Sequence, residues 1–215
     1  MDYERPNPEI FLKQIVNNKN ENGRGELKIF LGYAAGVGKT FAMLAAAHEA
    51  KDGGMDVVVG YVEPHFRTQT LAFLEDFEEI PMIEIKYKGV KFKEFNIDTA
   101  LKRHPELILV DELTHINAKG CRHAKRYQDI EELLTAGINV YTTVDVQQIK
   151  SFNNIVKSIS GVAVGERIPD SVFDSACQVE LIDIEPDGLV ERIKKGKNYS
   201  ETQAQRALDN FFMTD

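Results

Sequence analysis

Short apolar runs alternate with segments of helical periodicity along most of this 215-residue chain. The apolar runs have the length of buried strands, and the segments between them space apolar residues three or four apart. The predicted strands are 27–31, 57–62, 82–87, 107–110, 138–144 and 178–184. The predicted helices are 39–51, 68–79, 96–103, 124–136, 147–158, 187–195 and 200–212. Strands that alternate with helices build βαβ units, so the pattern predicts an α/β fold with three layers and a mostly parallel central sheet.

The first 26 residues depart from this alternation. Residues 8–16 favour a short helix, and residues 17–26 read NNKNENGRGE, which is polar and rich in Asn and Gly, as linkers are. We therefore divide the chain into an N-terminal helix with a polar linker, residues 1–26, and a folded domain, residues 27–215.

Charge and composition narrow the function classes. With 26 Lys and Arg against 34 Asp and Glu, the net charge of −8 disfavours a general nucleic-acid binder, whose affinity comes mainly from cations. No apolar run reaches the roughly 18 residues of a membrane span, and the acidic start has no secretory signal. Cys121 and Cys177 suggest neither a disulfide framework nor a zinc site. These features favour a cytoplasmic location.

The first predicted strand leads into GYAAGVGKT, residues 32–40, and then into a helix. This strand, glycine loop and helix order is the context of a phosphate-binding P-loop, in which glycines let backbone N–H groups turn toward phosphate oxygens. Lys39 would reach the β- and γ-phosphates and Thr40 would bind Mg²⁺, which predicts ATP with Mg²⁺ and a P-loop NTPase-like domain. The candidate nucleotide-binding residues are Gly36, Val37, Gly38, Lys39 and Thr40.

The loop departs from the strict motif at one position. Where the pattern has its first Gly, six residues before Lys39, this chain has Tyr33, and Gly32 lies one residue earlier. A plain strand-to-helix turn is the alternative interpretation, although Gly-Lys-Thr after a strand is hard to explain by packing alone.

A second signal is the strand LILV, residues 107–110, which ends in Asp111 and Glu112. In a parallel sheet this end should lie near the phosphate loop. Asp111 would hold Mg²⁺ through water, and Glu112 is the candidate catalytic residue, orienting or deprotonating a water or hydroxyl that attacks the γ-phosphate. A solvated strand end is the alternative.

Other strand ends supply weaker candidates. Four cations and a histidine lie within residues 119–126, and either Arg122 or Arg126 could act as an arginine finger, a solvated loop being the alternative. The loops after the predicted strands add further candidate side chains, each weighed against an ordinary loop residue. These further candidates are Glu63, His65, Arg67, His115 and Thr143.

Four strings in order, GYAAGVGKTFAML, VVVGYVEPHFRTQT, LILVDELTHINAKGCRHAKRYQDIEELL and INVYTTVDVQ, resemble the N-terminal cytoplasmic domain of the KdpD osmosensitive potassium sensor histidine kinases. The resemblance extends over about residues 5–213. It implies an ATP-binding input domain, which in complete members is followed by a universal-stress-like domain, membrane helices and a kinase core. The chain departs from the family pattern at Tyr33, Ala124, Tyr127 and Asp145.

Three functions remain open. The resemblance favours a regulatory module of a two-component sensor histidine kinase, in which nucleotide state modulates signalling for potassium or osmotic stress. Its partners would be ATP, the remaining sensor kinase domains and a second copy of the chain, with membrane contact only through domains absent here. A stand-alone P-loop ATPase or phosphotransferase is the alternative, since Glu112 follows Asp111. A structural domain with a relic P-loop is the third. We see no histidine-kinase core in this sequence and expect it to be either an excised domain or a free-standing short relative.

Overall fold

The computed structural model describes residues 23–62, 73–160 and 165–183. The strands in these residues are β1 (Leu27–Gly32), β2 (Val57–Tyr61), β3 (Glu78–Glu79), β4 (Ile83–Tyr87), β5 (Val90–Glu94), β6 (Leu107–Val110), β7 (Asn139–Asp145) and β8 (Gln178–Ile182). The helices there are α1 (Lys39–Asp52), α2 (Ile97–Arg103), α3 (Arg126–Thr135), α4 (Lys150–Ser160) and α5 (Asp170–Asp174).

Six of the described strands form one parallel sheet, in the order β3-β2-β6-β7-β1-β8. Successive side chains of a strand point to opposite faces, so apolar strands supply two cores. In β6, Leu107 and Leu109 join the core that includes α1, while Ile108 and Val110 join the core of α2 and α3. Each fully buried Leu or Ile stabilises the fold by roughly 1.5–3 kcal/mol. The predicted three-layer α/β fold with a mostly parallel sheet is confirmed.

One predicted helix is wrong at its C-terminal end. Residues 68–79 were expected to be helical, yet Glu78 and Glu79 form β3 and pair with Val58 and Val59. Leu74 and Phe77 are buried, as the helical spacing required, but the backbone that follows reaches the open edge of β2 and satisfies its hydrogen bonds there. Residues 68–72 lie outside the described part.

The predicted strand 82–87 exists as β4, but it lies outside the main sheet. It pairs antiparallel with β5, which the sequence analysis missed. A two-residue turn joins them, with Lys88 at φ 48° and Gly89 at φ 82°. Positive φ at both central positions gives the turn a backbone twist that matches the two strands, which favours a tight hairpin.

Smaller differences concern helix starts and the linker. Helix α3 begins at Arg126 instead of 124, α4 begins at Lys150 after a short 3-10 turn, and α5 was not predicted. The last linker residues are attached to the domain, since the Gly25 N–H donates to the Leu134 carbonyl at 2.8 Å. The predicted helices 8–16, 187–195 and 200–212 lie outside the described residues.

Two observations complete the picture of the chain. Cys121 and Cys177 are both free thiols. Within the described ranges, no helix combines the length and the apolar character needed to cross a bilayer.

Candidate functional site

Three neighbouring strands, β6, β7 and β1, end at the same edge of the sheet because all of them run parallel. This edge therefore brings together the glycine loop after β1, the acidic pair after β6 and the end of β7. Carboxyl ends of parallel strands are where ligands of open α/β sheets bind. The convergence that the sequence analysis expected for these loops is present in the structure.

The glycine loop has the backbone freedom expected of a phosphate cradle. Gly36 has φ 91° and Gly38 has φ 111°, and residues other than Gly rarely adopt such backbone angles. Gly38 precedes α1, and its carbonyl accepts the first helical hydrogen bond from the Ala42 N–H at 3.0 Å. Lys39 and Thr40 thus form the first turn of α1, where the helix dipole is positive.

The structure explains why Tyr33 is compatible with this loop. The crowded position is Gly32, since a Cβ there would lie 2.6 Å from Val37 Cγ2 and 2.9 Å from Lys39 Cγ. Tyr33 is only half-buried. The glycine requirement at the start of the loop is therefore met one residue earlier than the strict motif has it, and the bulk of Tyr33 is accommodated.

Lys39 points back across its own loop. Its Nζ donates to the Ala34 carbonyl at 3.1 Å and lies 2.5 Å from Asp145 Oδ1. Both side chains of this pair are mostly buried, at 12% and 13% exposure, so the pair is weakly screened by solvent. A phosphate that binds Lys39 must compete with the Asp145 carboxylate for the same ammonium group.

Asp111 is the centre of a compact polar cluster. It is 1% exposed, and its Oδ2 accepts a hydrogen bond from the Thr40 hydroxyl at 3.0 Å. Its Oδ1 accepts hydrogen bonds from the Thr143 hydroxyl and from the Glu112 N–H. A carboxylate beside a threonine hydroxyl supplies the hard oxygen ligands that Mg²⁺ prefers. The structure thus brings three predicted residues, Thr40, Asp111 and Thr143, into one group.

Glu112 lies at the rim of this cluster in a strained conformation. Its φ is 60°, in the left-handed region that costs a non-Gly residue roughly 1–3 kcal/mol. Its N–H is held by Asp111 Oδ1 at 3.0 Å, while its side chain is 37% exposed. His115 Nδ1 lies 3.9 Å from its Oε2, so His115, a weaker candidate, also lies at this rim.

The two arginine candidates have unlike positions. Arg126 is fully buried, donates from Nη1 to the Asp111 carbonyl at 3.1 Å and lies 4.0 Å over the Tyr61 ring. Arg122 instead forms exposed ion pairs with Asp98 and Glu132. The finger role considered for either arginine does not fit Arg126 in this arrangement, because its guanidinium is buried and donates to the end of β6. Arg126 begins α3, where a cation opposes the helix dipole, and these buried contacts offset that cost.

Glu94 is a site residue that the sequence analysis missed. It is 4% exposed and accepts hydrogen bonds from His115 Nε2 at 3.0 Å and from the Ala118 N–H at 2.8 Å. Burial would raise the pKa of Glu94, but the hydrogen bonds from His115 and Ala118 and the charge of Arg126 hold that pKa below its usual value. It ends β5, a strand that was not predicted, so no sequence signal pointed to it.

Three weaker candidates, Glu63, His65 and Arg67, lie outside the described residues. In the sequence they come after β2, and β2 is the neighbour of β6 in the sheet. Their assignment stays a prediction.

Comparison with known proteins points to one family. Residues 23–215 match the family described as the KdpD osmosensitive K⁺ channel His kinase sensor domain. The chain is 56% identical over 212 residues to "Sensor protein KdpD" of Clostridium acetobutylicum, covering 99% of this chain and 24% of that protein. It is 50% identical over 208 residues to "Sensor protein KdpD" of Escherichia coli K12, covering 97% and 23%. The chain therefore spans about a quarter of the length of these relatives.

A solved structure of AMPPCP-bound DnaA from Aquifex aeolicus matches with a TM-score of 0.38 and 14% identity, over 97% of this chain and 58% of that one. At that TM-score the likeness supports no conclusion about this chain.

Proposed function

Because the chain belongs to the KdpD family of osmosensitive K⁺ channel His kinase sensor domains, we propose that it is an ATP-binding regulatory input domain. Its nucleotide state would modulate signalling by the rest of a potassium-sensing histidine kinase. The family membership supports the signalling part of this proposal, and the geometry of the strand ends supports the nucleotide part.

One observation carries the nucleotide site. The Lys39 ammonium and the Thr40 hydroxyl, both from the first turn of α1, meet Asp145 at the end of β7 and Asp111 after β6, beside a loop with two positive-φ glycines. The loop backbone and Lys39 would hold the phosphates, and Thr40 with Asp111 through water would hold Mg²⁺. The metal would neutralise phosphate charge.

The relatives give this module a setting. They are about four times as long as this chain and are named sensor proteins, so the remaining kinase domains are the proposed partners. A second copy of the chain is a further candidate partner. Contacts to a γ-phosphate can order loops that are released when it leaves, and the loops after β6 and β7 are the proposed switches. The proposed location is the cytoplasmic side of a membrane, to which other domains of the sensor would anchor this chain.

A second function has one observation in its favour. Glu112 presents a partly exposed carboxylate at the rim of the Asp111 cluster, where it could orient or deprotonate a nucleophile. A stand-alone ATPase or phosphotransferase would use such a group. Isothermal titration of Mg-ATP distinguishes the two functions, since a regulatory site binds ATP and an ATPase also consumes it.

Replacing Lys39 tests the nucleotide site. Lys39→Ala should weaken Mg-ATP binding by about 10- to 100-fold, because it removes a charge-assisted hydrogen bond worth roughly 1.5–3 kcal/mol. The measurement is isothermal titration of Mg-ATP into the purified chain. Lys51→Ala is the matched control, since Lys51 lies in the last turn of the same helix and donates to the Asp76 carbonyl.

Two outcomes of this titration would contradict the proposal. No saturable binding by the unsubstituted chain would reject the ATP site, and equal affinities of Lys39→Ala and Lys51→Ala would reject the role of the loop lysine. Continuing heat after each injection would show turnover and favour the ATPase alternative.

Asp145→Asn should act in the opposite direction. Removing the carboxylate frees the Lys39 ammonium from a 2.5 Å ion pair, so Mg-ATP should bind about tenfold more tightly, equivalent to roughly 1.5 kcal/mol. Titration beside the unsubstituted chain measures the change. Unchanged or weaker binding would mean that Asp145 does not compete with the phosphates for Lys39.

A further inference from the structure

The hairpin formed by β4 and β5 carries a cluster of lysines, although the chain as a whole has a net charge of −8. Residues 86–93, here named the basic hairpin, read KYKGVKFK and contain four exposed lysines. Two of them, Lys86 and Lys91, are cross-strand partners. Like charges opposite each other destabilise a hairpin, so this arrangement indicates an anionic partner from outside it.

A run of carboxylates comes shortly before the hairpin in the chain. Residues 75–79, here named the acidic edge, read EDFEE and contain four exposed acidic side chains. The run ends in β3, the outermost strand on that side of the sheet. Glu79 and Lys93 line the same cavity of about 400 Å³ beside the end of β2. The acidic edge and the basic hairpin therefore lie on the same side of the molecule.

Within one copy, most of these charges have no ionic partner. Glu78 pairs with Arg103 at 2.9 Å, and Lys91 pairs with Glu84 at 3.0 Å. In the part of the chain that the structure describes, no ion pair involves the other charged side chains of the two runs, which are Glu75, Asp76, Glu79, Lys86, Lys88 and Lys93. Three carboxylates and three ammonium groups are thus available to a partner on one surface.

A surface with an acidic and a basic half is complementary to itself. In a dimer with two-fold symmetry, the same patch of each copy faces its counterpart, so that residue i meets j and j meets i. A two-fold rotation can therefore place the basic hairpin of each copy on the acidic edge of the other. Met82 and Ile83, which lie between the two runs in the chain, are 37% and 38% exposed. Covering such apolar side chains would add to the attraction between the charges.

A polyanion fits this surface less well than a second copy does. An anionic membrane or a nucleic acid that approached the lysines would also meet the acidic edge beside them. Like charges brought together in an interface repel each other and disfavour that partner. Only a partner that carries both signs of charge satisfies both halves.

We propose that the chain forms a two-fold homodimer in which the basic hairpin of each copy, residues 86–93, binds the acidic edge of the other, residues 75–79. This inference rests on the proposed function only in taking a second copy as a partner, and it requires no nucleotide. Exposed ion pairs are individually weak and are screened by salt, so the dimer dissociates readily and is sensitive to salt.

Sedimentation velocity of the nucleotide-free chain, over a series of concentrations, is the first test. At about 0.1 M salt the screening length is about 10 Å, which weakens the general repulsion between two acidic chains more than it weakens ion pairs in contact. We expect the fraction of dimer to rise with concentration there. At about 1 M salt, where the screening length is about 3 Å, we expect a monomer.

Two charge-reversed variants test the pairing itself. Lys86→Glu with Lys88→Glu makes the basic hairpin acidic, and Glu75→Lys with Glu79→Lys makes the acidic edge basic. Each variant alone should raise the dimer dissociation constant about tenfold or more, because every substitution acts at both symmetry-related contacts. Mixing the two variants should restore association, because each contact then joins opposite charges. Circular dichroism checks that both variants fold.

Lys150→Glu with Lys157→Glu is the matched control. Both lysines are exposed on α4, and the pair of substitutions changes the net charge by the same amount as the hairpin variant. The control should dimerise like the unsubstituted chain, which separates the specific contact from a general effect of net charge.

Four outcomes would overturn the proposal. The first is a monomer at every concentration in about 0.1 M salt. The second is equal association of the hairpin variant and the unsubstituted chain, and the third is a mixture of the two reversed variants that stays monomeric. The fourth is a monomer that floats with vesicles of anionic lipid, which would assign the basic hairpin to a membrane surface.

Failure of the proposed nucleotide site is distinguishable from failure of this inference. Titration of Mg-ATP into the unsubstituted chain and Lys39→Ala decides the nucleotide site alone. Sedimentation of the nucleotide-free chain decides the dimer, whatever the titration shows.

Discussion

Arg126→Met should lower the free energy of unfolding by about 3–5 kcal/mol, the usual cost of removing one partner from a buried ion pair. Arg126 is fully buried, and its loss would leave Glu94, at 4% exposure, without its buried cation. It would also remove a donor from the Asp111 carbonyl and the packing on Tyr61. Urea denaturation of the unsubstituted and substituted chains measures the difference, with an unchanged slope indicating the same unfolding transition.

Arg122→Met is the matched control for this result. Arg122 lies four residues earlier, is 47% exposed and pairs with Asp98 and Glu132, so its loss should cost only about 0–1 kcal/mol. Combining Arg126→Met with Glu94→Gln should recover part of the loss, because no uncompensated charge then stays buried. Equal small effects of the two arginine substitutions would show that Arg126 does not stabilise the end of β6.

Gly32→Ala should abolish measurable Mg-ATP binding while the chain still folds. The added Cβ would lie 2.6 Å from Val37 Cγ2 and 2.9 Å from Lys39 Cγ, so the loop must move. Val37 is 4% exposed and β-branched, which limits its ability to rotate away. Isothermal titration measures binding, and circular dichroism checks that the fold is retained.

Gly165→Ala is the control for the glycine substitution. An added Cβ at Gly165 would meet no atom within 4 Å, so neither binding nor folding should change. If Gly32→Ala binds Mg-ATP with the affinity of the control, the crowding at the start of the loop does not matter for nucleotide binding. That result would reopen the question of what Tyr33 does at the position where the motif has glycine.

Much of the sheet could be predicted from apolar patterning. Runs such as 107–110 are buried on both faces in the structure, which is why they contain no polar position. The glycine loop could also be predicted from the sequence, because positive φ at Gly36 and Gly38 is a local property that this residue type permits. Both features depend on residues that are close in the chain, so the amino-acid sequence is enough to predict them.

The missed elements have weaker local signals. Strand β5 reads VKFKE, and four of its five residues are exposed, so burial leaves little mark on its composition. Strand β3 has two exposed glutamates and forms only because β2 offers an open edge. Glu94 was missed with β5, although it is among the buried polar residues of the domain.

The sequence by itself determined the three-layer fold, the glycine loop and the acidic end of β6, since each follows from periodicity or from residue type. Only the tertiary structure decided which side chains contact one another in the site. Lys39 meets Asp145 across 106 residues of chain, and Thr40 meets Asp111 across 71. Arg126, one of two candidates for an arginine finger, is buried beneath the strand end it supports. The physical reason is that such contacts depend on the order of strands in the sheet, which brings distant loops to one edge and leaves no trace in local spacing.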